Sequence, residues 1–264
     1  MEIRDAAVEG LFYPRGQNLQ KTLQNLFKNE NFEEKFTAGI VPHAGFVYSG
    51  KVAAKILSKV QKAETFVIIG PNHTGYGSLI SLSSAEIWRN SLGDIKVDKE
   101  LAEALLNEFS LAKYDDSAHF QEHSIEVILP FLQYRFKDFK ILPIVIFPLS
   151  LEEARLFAQA LASLYKKKEF TLLISSDFTH YQPLDAAKEK DKLAIDAIIK
   201  LDTSKFVSLI TERNISICNP SGIVTLIEFC KLLNLKGSLL FYDTSATVSG
   251  NSASVVGYAA IGFA

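Results

Sequence analysis

Five histidines occur in the 264 residues, and four of them stand in short polar segments: Pro42-His43-Ala44-Gly45, Pro71-Asn72-His73, Glu122-His123-Ser124 and Asp177-Phe178-Thr179-His180. Imidazole is the side chain most readily recruited for metal ligation and for proton transfer near neutral pH. Most of a scarce supply stands near the ends of apolar runs, which points to one polar site assembled from several strand ends. A lone strand-end histidine such as His43 or His73 is more often a turn or packing residue; two of them together favour a shared site. A metal held by two imidazoles takes a carboxylate or thiolate as third ligand. Asp177, Glu122, Glu126 and Cys218 are the candidates. Two histidines and one carboxylate would match the facial set of non-haem Fe(II) enzymes.

Cys218 competes because it immediately precedes Asn219-Pro220, a plausible helix start, where the positive end of the helix dipole favours a thiolate. The opposing reading is a small buried hydrophobe, and for Cys230, set among Ile223, Ile227 and Phe229, that reading wins. Asp177 and His180 suit a base and its orienting partner, a carboxylate–imidazole pair behind a metal, or simply a capped turn. Glu122 opens a predicted helix, where a negative charge is favoured in any case. Tyr48, Tyr181 and Phe46 flank the motifs and offer pocket walls or ordinary packing. His119 carries too weak a pattern to join them.

The elements that must position these groups are legible as alternating runs. Thr37 to Val41, Thr65 to Ile69, Leu79 to Leu82, Lys140 to Phe147, Thr171 to Ser175, Ser238 to Tyr242 and Val255 to Phe263 read as strands. Ser49 to Val60, Lys99 to Phe109, Leu151 to Tyr165, Asp185 to Leu201, Ser204 to Glu212 and Asn219 to Leu233 read as helices. Ser124 to Phe136 reads as a helix that Pro130 kinks or divides. Such alternation predicts an α/β fold, with helices on both faces of a mostly parallel or mixed sheet. In that architecture ligands bind beyond the carboxyl ends of strands, where His43, His73, Asp177 and His180 all fall.

Composition narrows the rest. Apolar residues make up 48% and charged residues 22%, with a net charge of -2, which argues against a broad nucleic-acid surface. Lys166-Lys167-Lys168, the only basic run, closes a predicted surface helix. No apolar run approaches the roughly 20 residues that span a bilayer, and the charged N-terminus lacks a signal-peptide core. The expectation is a cytoplasmic protein whose two cysteines are free thiols. Walker, dinucleotide-binding and Gly-x-Ser-x-Gly motifs are absent from the sequence.

Taken in order, Arg4 to Pro14, Pro42-His43-Ala44-Gly45 with Tyr48-Ser49-Gly50, Gly70-Pro71-Asn72-His73, Glu122-His123-Ser124-Ile125-Glu126, Leu129-Pro130-Phe131, Ser175 to Tyr181 and Val256 to Ala260 resemble the MEMO1 family over essentially the whole chain. Prokaryotic members are often labelled protein B of the AmmeMemoRadiSam system. The resemblance implies one domain over residues 1–264, similar to the class III extradiol dioxygenases, which cleave catechol rings with non-haem Fe(II). It implies a metal held by His43, His73 and Cys218, with Asp177 and His180 as pocket partners and His180 in the general-base position. His123, Glu122 and Tyr48 are expected to complete the pocket.

Two departures are visible. The dioxygenases complete their iron site with glutamate, whereas Cys218 offers a softer, oxidisable thiolate, so ring cleavage does not transfer with the fold. Animal members follow the cysteine with Gly-Arg-His, where this chain has Asn219-Pro220-Ser221. The leading expectation is a protein holding Fe(II), or alternatively Cu or Zn, for redox or oxygen-dependent chemistry on a small molecule. The rivals are a peptide- or protein-binding module built on a degenerate dioxygenase pocket, and a zinc hydrolase with an open coordination position. Radical-SAM and AMMECR1-like proteins are the expected partners, with neither nucleic acid nor membrane.

Overall fold

The apolar runs that read as strands form the centre of the molecule in the computed structural model, which describes residues 2–264. In chain order the strands are β1 (Ile3–Asp5), β2 (Ala38–Val41), β3 (Thr65–Pro71), β4 (Ile80–Leu82), β5 (Ile87–Asn90), β6 (Gly93–Val97), β7 (Ala112–Tyr114), β8 (Lys140–Ile146), β9 (Thr171–Ser175), β10 (His180–Gln182), β11 (Gly237–Thr244) and β12 (Val255–Phe263). The helices are α1 (Gly16–Phe27), α2 (Phe46–Leu57), α3 (Lys99–Glu108), α4 (Leu129–Arg135), α5 (Leu151–Lys167), α6 (Leu184–Ile199), α7 (Thr203–Glu212), α8 (Pro220–Leu232) and the single turn α9 (Ala246–Ser249).

All the strands join one mixed sheet. Its middle, in the order β8-β3-β9-β2, is parallel, and β12 then runs antiparallel to β2 and carries β11 and β10. The parallel strands are buried on both faces, which explains why they read as nearly unbroken apolar runs. Side chains nevertheless alternate between two cores. Val67 and Ile69 of β3 face the core shared with α3, α5, α6, α7 and α8. Phe66 and Ile68 face the one shared with α1, α2 and α4. The architecture is thus a single-domain α/β fold with helices on both faces of a mixed sheet.

Local chemistry sets the element ends. Ser150 and Glu153 form a capping box on α5, and Lys166 and Lys167 occupy its last turn, where they complement the helix dipole. Asn219 caps α8 through Gly222 N–H, with Pro220 at the first helical position. The segment expected to be one helix from Ser124 is divided: a 3-10 turn at Glu126–Ile128 precedes α4, and Pro130 lies in the first turn of that helix. The elements not foreseen are short or polar. α1 exposes most of its surface and buries Leu19, Leu23 and Phe27, and β10 pairs with β12 through an irregular step next to Tyr181, whose φ is 56°. No helix among the described residues is long and apolar enough to cross a membrane.

Candidate metal centre

β3, β9 and β2 are adjacent and parallel, so their carboxyl ends open onto one edge of the sheet. His73, Asp177 and His43 each stand two residues beyond one of those ends. Sequence-distant groups are thereby brought into one cluster, as expected where ligands bind in α/β sheets.

The buried His43 ring places Nδ1 2.7 Å from Ser175 Oγ. The Ser175 hydroxyl in turn donates to the Ser124 carbonyl at 2.6 Å. A carbonyl only accepts, so the serine proton is committed there and its oxygen receives Nδ1–H of His43. Nε2 therefore carries a lone pair, and it lies 3.5 Å from Cys218 Sγ. Burial, reinforced by the neighbouring His73 and His123, drives the pKa of His43 well below the usual imidazole value and keeps the ring neutral. Gly70 makes room for the Ser124 side chain, because a Cβ there would meet Ser124 Oγ.

His73 is oriented by a different partner. Glu122 Oε1 accepts from its Nδ1 at 2.9 Å and Oε2 from its backbone N–H at 2.7 Å, which again leaves Nε2 as the available ligand atom. Burial works against a charge on Glu122, but the His73 ring and the backbone N–H groups of His73 and Ser124 outweigh it and hold the carboxyl at about 2. The result is a carboxylate–histidine pair of the kind that fixes metal ligands.

Cys218 completes the set. Ligand atoms of His43, His73 and Cys218 all lie within 4.8 Å of one another. Sγ accepts from Asp177 N–H at 3.1 Å. The helix-end ionisation expected from its position before α8 is overridden: burial, followed by the charge of Asp177, pushes the thiol up, so the uncoordinated group is a neutral thiol.

The other candidates take supporting places. His73, Glu122 and His123 also offer ligand atoms within 4.8 Å. Glu122, however, already accepts from His73 Nδ1, His73 N, His123 N and Ser124 N, and it fastens the loop. His123 stacks on His73 at 4.7 Å between ring centroids and packs against Phe12 at 4.6 Å. Glu126 is no ligand. It pairs with the buried Arg4 and accepts from Tyr13 Oη and the N–H groups of Ala7 and Val8. Arg4 also donates to the carbonyls of His119 and Glu122. The N-terminal segment thereby holds the Glu122–His123 loop in place. His119 is buried, edge-on against Trp88.

Asp177 Oδ1 accepts from His43 N–H at 2.8 Å, so the carboxylate shapes the turn that presents His43. Burial raises its pKa to about 6 against the pull of that bond and of His180. His180 takes its orientation from Ser216, not from Asp177: its N–H donates to Ser216 Oγ at 2.8 Å and its Nδ1 lies 2.7 Å from the Ser216 carbonyl. The ring nitrogen left free is Nε2. Tyr48 is half-exposed at the start of α2. It lies within electrostatic reach of Tyr258, which also senses Asp177 and Tyr181.

Sequence reasoning placed Ser175, Ser124, Tyr258 and Arg4 in motifs without giving them a role, and it passed over Ser216. Ser175 had one visible signal, a hydroxyl closing an otherwise apolar strand. Arg4 had only its place in a charged opening.

The family model for Memo-like proteins matches residues 4–262. The chain belongs to the MEMO1 family. It is 45% identical to a MEMO1 family protein of Methanosarcina acetivorans, with 99% of each chain covered. To a MEMO1 family protein of Aquifex aeolicus it is 38% identical, with 98% of each covered. Among solved structures it resembles an uncharacterized protein of Escherichia coli K12, with a TM-score of 0.56 and 12% identity over 78% of this chain and 89% of that one. At that identity the likeness concerns the fold. Family membership and the converging ligand atoms are independent observations, one from the whole sequence and one from the geometry.

Proposed function

We propose that this MEMO1-family protein holds Fe(II), or alternatively Cu or Zn, through His43, His73 and Cys218 and supports redox or oxygen-dependent chemistry on a small molecule. The observation that carries the reading is the convergence of two Nε2 lone pairs and one sulfur, each imidazole oriented through its own Nδ1 partner. Two borderline nitrogen donors and a soft sulfur suit these metals and do not suit Mg or Ca. A metal bound there would supply electron transfer or polarisation of a bound small molecule.

The chain's own groups do the remaining work. Cys218 would have to give up its proton to hold a metal, so loading would release a proton and tighten as pH rises. Glu122 and the Ser175–Ser124 relay prevent His73 and His43 from turning their protonated nitrogens inward. His180, held through Nδ1 by Ser216, keeps Nε2 for taking up or returning a substrate proton. Asp177 holds the His43 turn and keeps either a negative charge or a proton near the sulfur.

Metal analysis of protein purified without added metal tests the ligand set. About one metal per chain is expected in the parent, and none in the folded His43→Ala/His73→Ala variant; stoichiometric metal in that variant would overturn the assignment. A peptide-binding reading draws on a different observation, the exposed aromatics Tyr48, Tyr76, Phe120 and Tyr181 in the segments that carry His43, His73, His123 and His180. It expects the metal-free variant to retain a bound peptide, whereas the metal reading expects turnover to vanish.

A further inference from the structure

β11 is an edge strand of eight residues, long for an exposed edge, and among the described residues only β12 pairs with it. Natural sheets usually shorten, charge or cover such an edge to prevent pairing with another chain. The central residues here, Leu239-Leu240-Phe241-Tyr242, carry no charge and no proline. Leu239 is 42% exposed, and Leu232 and Val248, just before and just after the strand, are 45% and 50% exposed.

The direction of the unpaired backbone groups follows from the ladder. Lys236 and Ala264 exchange both backbone hydrogen bonds, so alternation along an antiparallel pair turns the N–H groups of Gly237 and Leu239 away from β12. Ser245 N–H bonds Val256. Counting back from it turns the N–H groups of Thr244 and Tyr242 outward, beyond the irregular step between Leu239 and Phe241. Thr244 N–H is already capped by Asp243 Oδ1. The outward N–H groups of Leu239 and Tyr242 thus remain without a partner among the described residues.

We propose that β11 is the pairing edge of a two-fold dimer, in which β11 of one copy lies antiparallel to β11 of a second copy of this chain. The charges at the strand ends select that occupant. An antiparallel self-pairing that sets Gly237 opposite Tyr242 joins two outward-facing positions, and it also sets Lys236 of each copy opposite Asp243 of the other. Lys236 is exposed and Asp243 half-buried; Asp243 Oδ1 accepts from Thr244 N–H and Thr247 Oγ1, and neither residue has an ion-pair partner among the described residues. Two-fold symmetry uses both pairs at once, and it continues the sheet from one copy into the next while covering Leu239. A strand from an unrelated chain would meet this charge spacing only by coincidence.

Sedimentation equilibrium of the full chain over about three decades of concentration tests the dimer. A monomer–dimer equilibrium is expected. Lys236→Glu and Asp243→Lys, each of which sets like charges opposite each other at both ends, should each weaken it about tenfold. An equimolar mixture of the two variants restores opposite charges at both ends, and its association should return to the parental strength. Leu239→Pro removes an outward N–H without touching a bond to β12, and it should abolish the dimer while leaving the melting temperature close to the parent's. A parent that stays monomeric throughout overturns the proposal, and so does a dimer indifferent to all three substitutions. A mixture no stronger than either variant alone overturns the stated register.

Discussion

Replacing Ser175 with alanine isolates the relay that sets the His43 tautomer. The hydroxyl is fully buried, with His43 Nδ1 at 2.7 Å on one side and the Ser124 carbonyl at 2.6 Å on the other. Without it, Nδ1–H loses its acceptor in a buried site, which costs about 1–3 kcal/mol of metal-free stability. That corresponds to a melting shift of about 2–4 °C for each kcal/mol in a chain of this size. The neutral ring is then free to place its proton on Nε2, the ligand atom facing Cys218. Loss of such an orienting partner typically weakens metal binding about 10–100-fold, or about 1.4–2.7 kcal/mol. Anaerobic competition titration against a chelator measures the affinity, and calorimetric melting of the metal-free protein measures the fold. Thr65→Val serves as the control, since it removes a buried hydrogen bond to Asp98 at the opposite end of β3. It should lower the melting temperature and leave the affinity unchanged. A Ser175→Ala protein that binds metal within twofold of the parent would refute the tautomer argument, whatever its melting temperature.

Arg4→Met should strand the buried Glu126 carboxylate and cost about 3–5 kcal/mol; urea unfolding measures the loss, and adding Glu126→Gln should recover part of it. Gly257→Ala would drive a Cβ into the Asp191 carboxylate and should destabilise by about 3 kcal/mol. Chemical denaturation of the single variants and of Gly257→Ala/Asp191→Ala should show strong coupling between the two sites. His119 supplies a pH dependence. Burial holds it at about 4, against about 6.5 in the unfolded chain, so the unfolded state takes up a proton first as pH falls. The stability it confers is complete above pH 6.5 and is lost progressively toward pH 4, by about 3 kcal/mol. The difference between parent and His119→Phe across that range should show this slope, and parallel curves would remove His119 as the cause.

Much of the fold was legible because its central strands are buried on both sides and its helices carry caps. β3, β8, β9 and β12 read directly as apolar runs, and Asn219-Pro220 marked the start of α8. The outer strands β1, β5, β6, β7 and β10 escaped because they run three to five residues and owe their existence to pairing. Their side chains show no periodicity long enough to detect. The division of the Ser124–Phe136 segment followed from Pro130.

The sequence by itself determined which chemistry was available: scarce imidazoles beyond strand ends, a thiol before a helix start, and a whole-chain likeness to one family. Tertiary structure alone decided how those groups are used. Glu126 and Glu122 were equal candidates in the sequence, yet one binds Arg4, 122 positions away, and the other orients His73, 49 positions away. The dipole at the start of α8 favoured a thiolate, yet burial beside Asp177 keeps uncoordinated Cys218 protonated. Local pattern records what a residue can donate, accept or ligate. Which partner it meets depends on strand order, and the adjacency of β3, β9 and β2 turns three separate strand ends into one site.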